Sequence, residues 1–558
     1  MFPSPFVTKL GTNYCPPDEE LAEIQTLLVE PGLRLKRLDD EIAGMRKAID
    51  ELLEERECLG SYMEAHRALT SPIRRLPLDI IEEIFLACIP THRNCVMSAE
   101  EAPVILGRIC SSWRAISFST PRLWSRLHIV EPTRPYELDS SLFDAKVAQR
   151  LETTTAWLRR AGECLLSISL EGRFDDGFHP ESPDLLTTAA FLHALVPFAS
   201  RWQNIHLAAP PSAFGALAIL SDKDVPWLKS LKIVQRPEHP DASYRWGPSS
   251  IFNGSNLSRF SISGDNFNPL ELPLRWNQLT DLSIIGPTRG LGDTQTVTVV
   301  LRVLSGCPEL RTFKGLLRDN FEDIVDSTIK CPFLHTINLT SAGAPLYTSG
   351  RLFCHLSLPG LRHFKFRGQG PEPHGASSES LALILASSLA PSTSLECIDL
   401  DSHAFSKASL NNLLGGLPPA IRSLHITDIS HSWRPLGEDP FDNDILEAFI
   451  PSPDRPSPHC PALQELILIH CRMLSDETLL RFIESRMSGS CSVLQRIDVR
   501  FNREIQVDIL PSLEPFIAAG LRANVRYIPP AIPQFSPWVG LVDAPHGPWI
   551  SPHVYTVF

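Results

Sequence analysis

The sequence predicts a long heptad-patterned helix, a short all-helical module, and then an irregular α/β repeat, a leucine-rich-repeat-like solenoid arc of short strands. Three features carry this reading. Apolar residues step by three and four through the N-terminal region, two short amphipathic runs are bounded by prolines, and one six-residue apolar unit recurs nine times.

The heptad stripe comprises Leu35, Leu38, Ile42, Met45, Ile49 and Leu52, and continues less regularly through Leu59 and Met63. A shorter helix through Leu21, Ile24 and Leu28 is expected to precede it and to stop at Pro31-Gly32. Glu51, Glu54, Glu55 and Glu57 form a solvated acidic flank. The stripe either folds back onto the following module or pairs two copies of the chain through residues 33–69, and Arg56 and His66 on the seam count against the second.

In SPIRRLPLDIIEEIFLACIP, Pro77 stands where a first helical position tolerates a missing N–H, and Ile80, Ile81, Ile84, Phe85 and Cys88 follow at helical spacing. After the polar stretch THRNCVMSAEEA, Pro103 is the next candidate helix start, and Ile105, Ile109, Cys110, Trp113 and Ile116 line one face before Thr120-Pro121. A helical stretch around residues 144–161 leads into the repeats.

The repeated unit, apolar-x-x-apolar-x-apolar, starts at Leu228, Leu257, Leu279, Leu334, Leu361, Leu395, Ile421, Leu463 and Leu494; a weaker copy starts at Leu310, and NIHL at Asn204 is an earlier candidate. Spacings of about 22 to 42 residues overlap or exceed those of leucine-rich repeats. Alternation at the fourth and sixth positions makes a buried strand, and stacked units share one core. Residues 368–379 and 433–460, rich in Gly, Pro and Ser, read as surface loops.

Composition narrows the function. A chain of 558 residues with 43% hydrophobic and 21% charged residues is foldable, and a net charge of −13 argues against broad attachment to nucleic acid or anionic lipid. No apolar run approaches the roughly 18 residues of a membrane span, and the N-terminus lacks the order of a secretory signal, so cytoplasm or nucleus is expected. Thirteen cysteines without a CxxC pair suggest reduced, mostly buried thiols. No P-loop, GxSxG, HExxH or strand-linked GxGxxG motif is present, so a non-catalytic chain without cofactor is expected. His459-Cys460 and His470-Cys471 contain metal-ligand types but flank one strand, where core packing is the simpler reading, and no metal site is assigned.

The run Leu76-Pro77, Asp79, Ile80-Ile81, Ile84-Phe85, Ile109-Cys110, Trp113-Arg114 and Leu123-Trp124 resembles the F-box, with a longer loop between its first two helices. The resemblance covers about fifty residues, and the heptad helix before it and repeats behind it look like the large fungal F-box families. It implies a substrate receptor of an SCF-type cullin-RING ubiquitin ligase, docking on a Skp adaptor through Leu76, Pro77, Ile80, Ile84, Phe85, Ile109, Cys110 and Trp113. A ligase-independent F-box scaffold is the alternative. The expected division is residues 1–17 flexible, 18–69 heptad helix, 70–127 F-box, 128–527 repeats, and 528–558 a Pro- and aromatic-rich tail or cap.

If the fourth and sixth residues of each unit face inward, the fifth residues form one row: Lys232, Ser261, Ser283, Lys314, Asn338, Lys365, Asp399, His425, Ile467 and Asp498. His363 and Arg367 share the strand face of Lys365. Lys314, Lys365, Arg367 and His363 are therefore the candidate contacts for a protein substrate carrying an acidic or phosphorylated segment; a solvated strand face is the plainer alternative.

Overall fold

The structure, a computed structural model, describes residues 4–132, 140–172, 185–235, 251–264, 267–286, 296–317, 328–341, 346–368, 376–428, 440–453, 457–488 and 494–528. The chain divides into two compact units, Met1–Ala87 and Cys88–Phe558, so the boundary falls inside the segment expected to form one module over residues 70–127.

In the first unit, α1 (Asp18–Leu69) is a single helix of 52 residues that continues through Pro31 instead of stopping there. A mid-helix proline removes one hydrogen bond and costs about 3 kcal/mol, which a long run of good helix formers on both sides can absorb. Asp18, Glu19 and Glu20 in its first turn, with His66 and Arg67 in its last, complement the helix dipole. The heptad stripe is exposed: Leu35 and Leu52 are both 65% exposed, and Leu38, Ile42, Met45, Ile49, Leu59 and Met63 are exposed with them. Residues before the helix are less free than expected. Phe6 is buried, and Lys9 bonds Glu20 at 2.9 Å while lying 4.2 Å from the Tyr14 ring centroid.

A 3₁₀ turn (Pro72–Arg75) leads to α2 (Leu78–Ala87), which buries Ile81 and Phe85, one helical turn apart. Its first residue is Leu78, so Pro77 directly precedes the helix.

The second unit begins with two short helices, α3 (Leu106–Ile109) and α4 (Ser111–Ser119). The first starts three residues after Pro103, because residues 101–105 form a turn closed by the Ile105 amide donating to the Glu101 carbonyl at 3.0 Å. After a 3₁₀ turn (Pro121–Trp124) the chain enters a single sheet of 14 parallel strands. They are β1 (Arg126–Val130), β2 (Leu166–Glu171), β3 (Trp202–Ala209), β4 (Ser230–Gln235), β5 (Arg259–Ser263), β6 (Asp281–Ile285) and β7 (Thr312–Leu317). Then follow β8 (Thr336–Ser341), β9 (His363–Gly368), β10 (Cys397–Asp401), β11 (Ser423–Thr427), β12 (Glu465–Cys471), β13 (Arg496–Phe501) and β14 (Arg522–Arg526). Each strand lies beside its chain neighbours, the pattern of a solenoid-like repeat. Alternation does the burying: in β8, Ile337, Leu339 and Ser341 are buried and Thr336, Asn338 and Thr340 half-buried. Neighbouring layers interlock through edge-on aromatic pairs such as Phe252–Phe260 and Phe353–Phe364, with centroids 5.1 and 5.6 Å apart.

Both regions read as loops contain helix. Residues 369–375 lie outside the described residues, but the helix Ala376–Leu389 already begins within the 368–379 stretch. Within 433–460, the helix Asn443–Glu447 is capped by Asp442, whose carboxylate accepts from the Ile445 amide at 3.2 Å, and Ile445, Leu446 and Phe449 are buried. The expected tail, apart from Ile528, lies outside the described residues. Cysteines are less uniformly buried than expected: Cys15, Cys58, Cys88, Cys110 and Cys354 are exposed. Among the described residues no helix is long and apolar enough to cross a membrane.

Candidate functional site

The F-box-like residues divide into core and surface. Phe85 is fully buried and Trp124 is 2% exposed, so both are core, and Phe85 is corrected from an adaptor contact to a structural residue. The cause is phase: on a 3.6-residue helix Phe85 shares the inward face with Ile81, which turns Ile80 and Ile84 outward at 44% and 36% exposure. Pro77 is exposed and Leu76 half-buried. Leu78, 55% exposed, belongs with this outward set; it sits between the matched motif positions, so the motif alone did not single it out.

In the second unit Ile109 is 56% exposed and Cys110 is exposed. The Cys110 thiol also has a local task, accepting from the Trp113 amide at 3.4 Å and thereby capping α4; Trp113 itself is half-buried. Arg114 braces the two helices by donating to the Gly107 carbonyl at 2.7 Å. Ile105 and Phe118, 38% and 48% exposed, extend the apolar surface of this unit. Arg160 stacks over the rings of Phe118 and Trp124 at 4.7 and 4.9 Å, and Trp124 meets Trp157 edge-on at 4.8 Å, so the surface stands on a rigid aromatic base.

The strand row falls in the anticipated register. Lys232, Ser261, Ser283, Lys314, Asn338, Lys365, Asp399, His425, Ile467 and Asp498 are successive Cα partners across ten strands. The row extends to His206, Ser169 and His128 on one side and to Asn524 on the other. Its electrostatics differ from a simple basic centre. Asp399 binds both Lys365, at 2.8 Å, and Arg367, at 2.7 Å, so one carboxylate offsets part of the charge of two cations. From there a polar series continues through His425–Glu465 at 3.8 Å, and ion pairs join Glu465 to Arg496 at 2.9 Å and Asp498 to Arg500 at 3.5 Å. His363 and Lys314 are exposed. Lys314 stands between uncharged Ser283 and Asn338 and has no ion-pair partner among the described residues. Burial first, then Lys232, lower the His206 pKa to about 4, so it is neutral near pH 7 and adds no charge.

Beside the row, at the ends of β10 and β11, lies a buried polar cluster that sequence reading did not single out. His403 Nε2 lies 3.0 Å from Asp428 Oδ1, both side chains being 1% exposed, and Ser402 donates to the same oxygen. Asp401 accepts from the His403 amide at 3.1 Å, and burial raises its pKa to about 6 against the opposing pull of that amide, His403 and Arg367. The only sequence signal was an acidic residue at the end of one apolar strand, Asp401, and another just past the next, Asp428.

Among the described residues no group of three or more His, Cys, Asp or Glu is placed to hold a metal ion. His459 Nε2 lies 3.2 Å from Asn411 Oδ1 with its ring edge-on to Phe449, and burial pushes the Cys460 thiol up to about 12.

No family model matches the chain, and no curated protein matches it. A solved structure described as the Rad7 and Elc1 complex in yeast is similar over 88% of this chain and 97% of that chain, at 13% identity and a TM-score of 0.33. A TLR13–ssRNA13 complex is similar over 70% of this chain and 67% of that chain, at 12% identity and a TM-score of 0.25. Likenesses this remote carry no argument about fold or activity.

Proposed function

We propose that the chain is a non-catalytic substrate-recognition subunit of an SCF-type cullin-RING ubiquitin ligase, acting in cytoplasm or nucleus, which docks on a Skp adaptor through its F-box-like residues. The strand row of the repeat is the surface offered to a protein substrate. The observation that carries the reading is the exposure of Ile80, Ile84 and Ile109, at 44%, 36% and 56%, at positions that match the F-box pattern. Apolar side chains that the chain leaves in water are the material of an interface centre. Transfer of ubiquitin then belongs to other subunits, and this chain contributes proximity.

The test is capture of purified Skp adaptor and cullin by the full chain, by Ile80→Asp/Ile84→Asp, by Ile109→Asp, and by Phe85→Ala as a control. The exposed-face variants should lose adaptor by about thirty-fold or more, as hot-spot losses of about 2 kcal/mol predict, while keeping their melting temperature. Phe85→Ala should instead lower stability by about 3–5 kcal/mol. Adaptor without cullin would favour the ligase-independent scaffold; capture of neither by the intact chain would overturn the proposal.

A further inference from the structure

We infer that α1 pairs with α1 of a second copy of this chain as a parallel, in-register, two-stranded coiled coil over residues 35–66. This surface is separate from the F-box-like residues and the strand row. With Leu35 at position a of a heptad abcdefg, the register runs without a skip: a is Leu35, Ile42, Ile49, Arg56 and Met63, and d is Leu38, Met45, Leu52, Leu59 and His66. Every apolar member of this seam is at least 41% exposed. Over about 48 Å of helix such a stripe is one face of a knobs-into-holes contact that needs a partner of the same period.

The chain itself is that partner by charge. In a parallel in-register pair each g position meets the e position five residues on in the other helix. Those pairs are Arg34 with Asp39, Glu41 with Arg46, Ala48 with Leu53, Glu55 with Gly60, and Tyr62 with Arg67. Two are opposite charges, one is apolar, one sets a carboxylate against a glycine, one sets a cation against an aromatic ring, and none joins like charges. Among the described residues Arg34, Asp39, Glu41 and Arg46 have no ion-pair partner in their own chain, whereas Lys47, away from the seam, pairs with Glu51 at 3.8 Å. An antiparallel pair would match g with g and e with e, separating Arg34 from Asp39 and Glu41 from Arg46. β-Branched Ile42 and Ile49 at a, with Leu38, Leu52 and Leu59 at d, select two strands over three or four. Arg56 is the one charged a position and fixes the alignment at a cost in affinity.

Sedimentation of the full chain at micromolar concentration is expected to give a dimer. Glu41→Arg alone sets a second cation against Arg46, and Arg46→Glu alone sets a second carboxylate against Glu41, so each should weaken self-association roughly ten-fold. Mixing the two variants removes these repulsions: both g–e contacts join two cations in the Glu41→Arg homodimer and two carboxylates in the Arg46→Glu homodimer, whereas the mixed pair sets the introduced cation against the introduced carboxylate at one contact and unchanged Glu41 against unchanged Arg46 at the other.

 In that mixed pair both contacts again set opposite charges together, which should restore a heterodimer with the affinity of the intact chain. Both substitutions are on the exposed helix surface, and circular dichroism should show unchanged helix. Arg56→Leu should tighten the dimer, and Ile42→Asp/Ile49→Asp should abolish it. A monomeric intact chain, a trimer or tetramer, an unchanged dimer in Ile42→Asp/Ile49→Asp, or no preference in the Glu41→Arg plus Arg46→Glu mixture would each overturn the inference.

Discussion

Asp476→Ala should unfasten the last repeats. The Asp476 side chain is fully buried at the start of the helix Asp476–Ser488. Its Oδ1 accepts from Arg503 Nη2 at 2.7 Å and Tyr527 Oη at 3.1 Å, and its Oδ2 accepts from Arg503 Nη1 at 3.3 Å and the Gln506 and Val507 amides, both at 2.9 Å. Truncation removes the shared acceptor of two part-buried amides on the exposed residues Gln506 and Val507, at about 0.5–1.5 kcal/mol each because water can replace it in part, and removes the counter-charge of Arg503. Breaking a buried pair costs about 3–5 kcal/mol, but Arg503 keeps bonds to the Leu474 carbonyl at 3.0 and 2.7 Å and to the Glu504 carbonyl at 2.9 Å. These losses share one network and do not add, so the expected cost is about 3–4 kcal/mol. In a repeat array the damage stays near its source. Urea unfolding with hydrogen exchange should therefore show early opening of residues 496–528 while β1–β7 keep their protection. A midpoint shift worth under about 1 kcal/mol, or uniform loss across all strands, would refute the reasoning. The pH dependence has a definite sign. Burial acts to raise the Asp476 pKa, but the Arg503 bond and the two amides outweigh it and hold the carboxyl below its usual value. Its stabilisation is thus present above the unfolded value near 3.9 and is lost as pH falls through the folded one.

Asp401 should behave oppositely. With its folded pKa raised from 3.8 to about 6, it favours the fold when protonated, so stability should fall by on the order of 3 kcal/mol as pH rises across that interval. Asp401→Asn should flatten this part of the profile in pH-dependent melts, and an unchanged slope would show that another group titrates there. On the strand row, Lys314→Glu should alter capture of crosslinked partners with a stability change within about 0.5 kcal/mol, whereas Arg367→Ala should cost roughly 1–3 kcal/mol by loosening Asp399. A silent Arg367→Ala in urea unfolding, or unchanged capture by Lys314→Glu, would return the respective residue to the solvated face.

The repeat was legible because a parallel strand must alternate, and its leucines cannot be placed otherwise without emptying the core. Hence the unit starting at Leu310 and the NIHL segment proved to be β7 and part of β3, and the fifth-position row kept register. The end strands were missed for physical reasons. In β1 the lead apolar position is Trp124, already assigned to the F-box-like run, with Leu127 and Ile129 following at the repeat spacing. In β14, Ala523 and Val525 stand in register with the inward Ile497 and Val499, but the lead position equivalent to Leu494 falls on Gly520, so the unit lacks its first apolar residue. Phe85 was misplaced because a motif records which residues recur, whereas helical phase decides which of them face inward. Pro31 misled for a related reason: local propensity is a weak prior over a helix of 52 residues.

The long loop after α2 has a structural use that bears on the proposed role. Cys95 accepts from the His128 amide at 2.7 Å, Val96 bridges to His128 in parallel fashion, and Arg126 donates to the carbonyls of Pro90, Thr91 and Arg93 at 2.7, 3.3 and 2.6 Å. Asn94 donates to Ser169 at 3.0 Å, one strand further in. These bonds cover the free edge of β1, which would otherwise present unpaired backbone groups. They also join the loop to the sheet, while Trp124 packing on Trp157 joins the turn after α4 to the helix Ser140–Arg160. Ile109 and the strand row therefore belong to one folded unit without an intervening linker, and a partner held at each would be held at a fixed separation. Fixed separation makes effective concentration depend on geometry instead of linker length. Arg126→Ala, which frees the loop without touching Ile109 or Lys314, should leave adaptor and substrate capture intact separately and reduce ubiquitylation of the bound substrate.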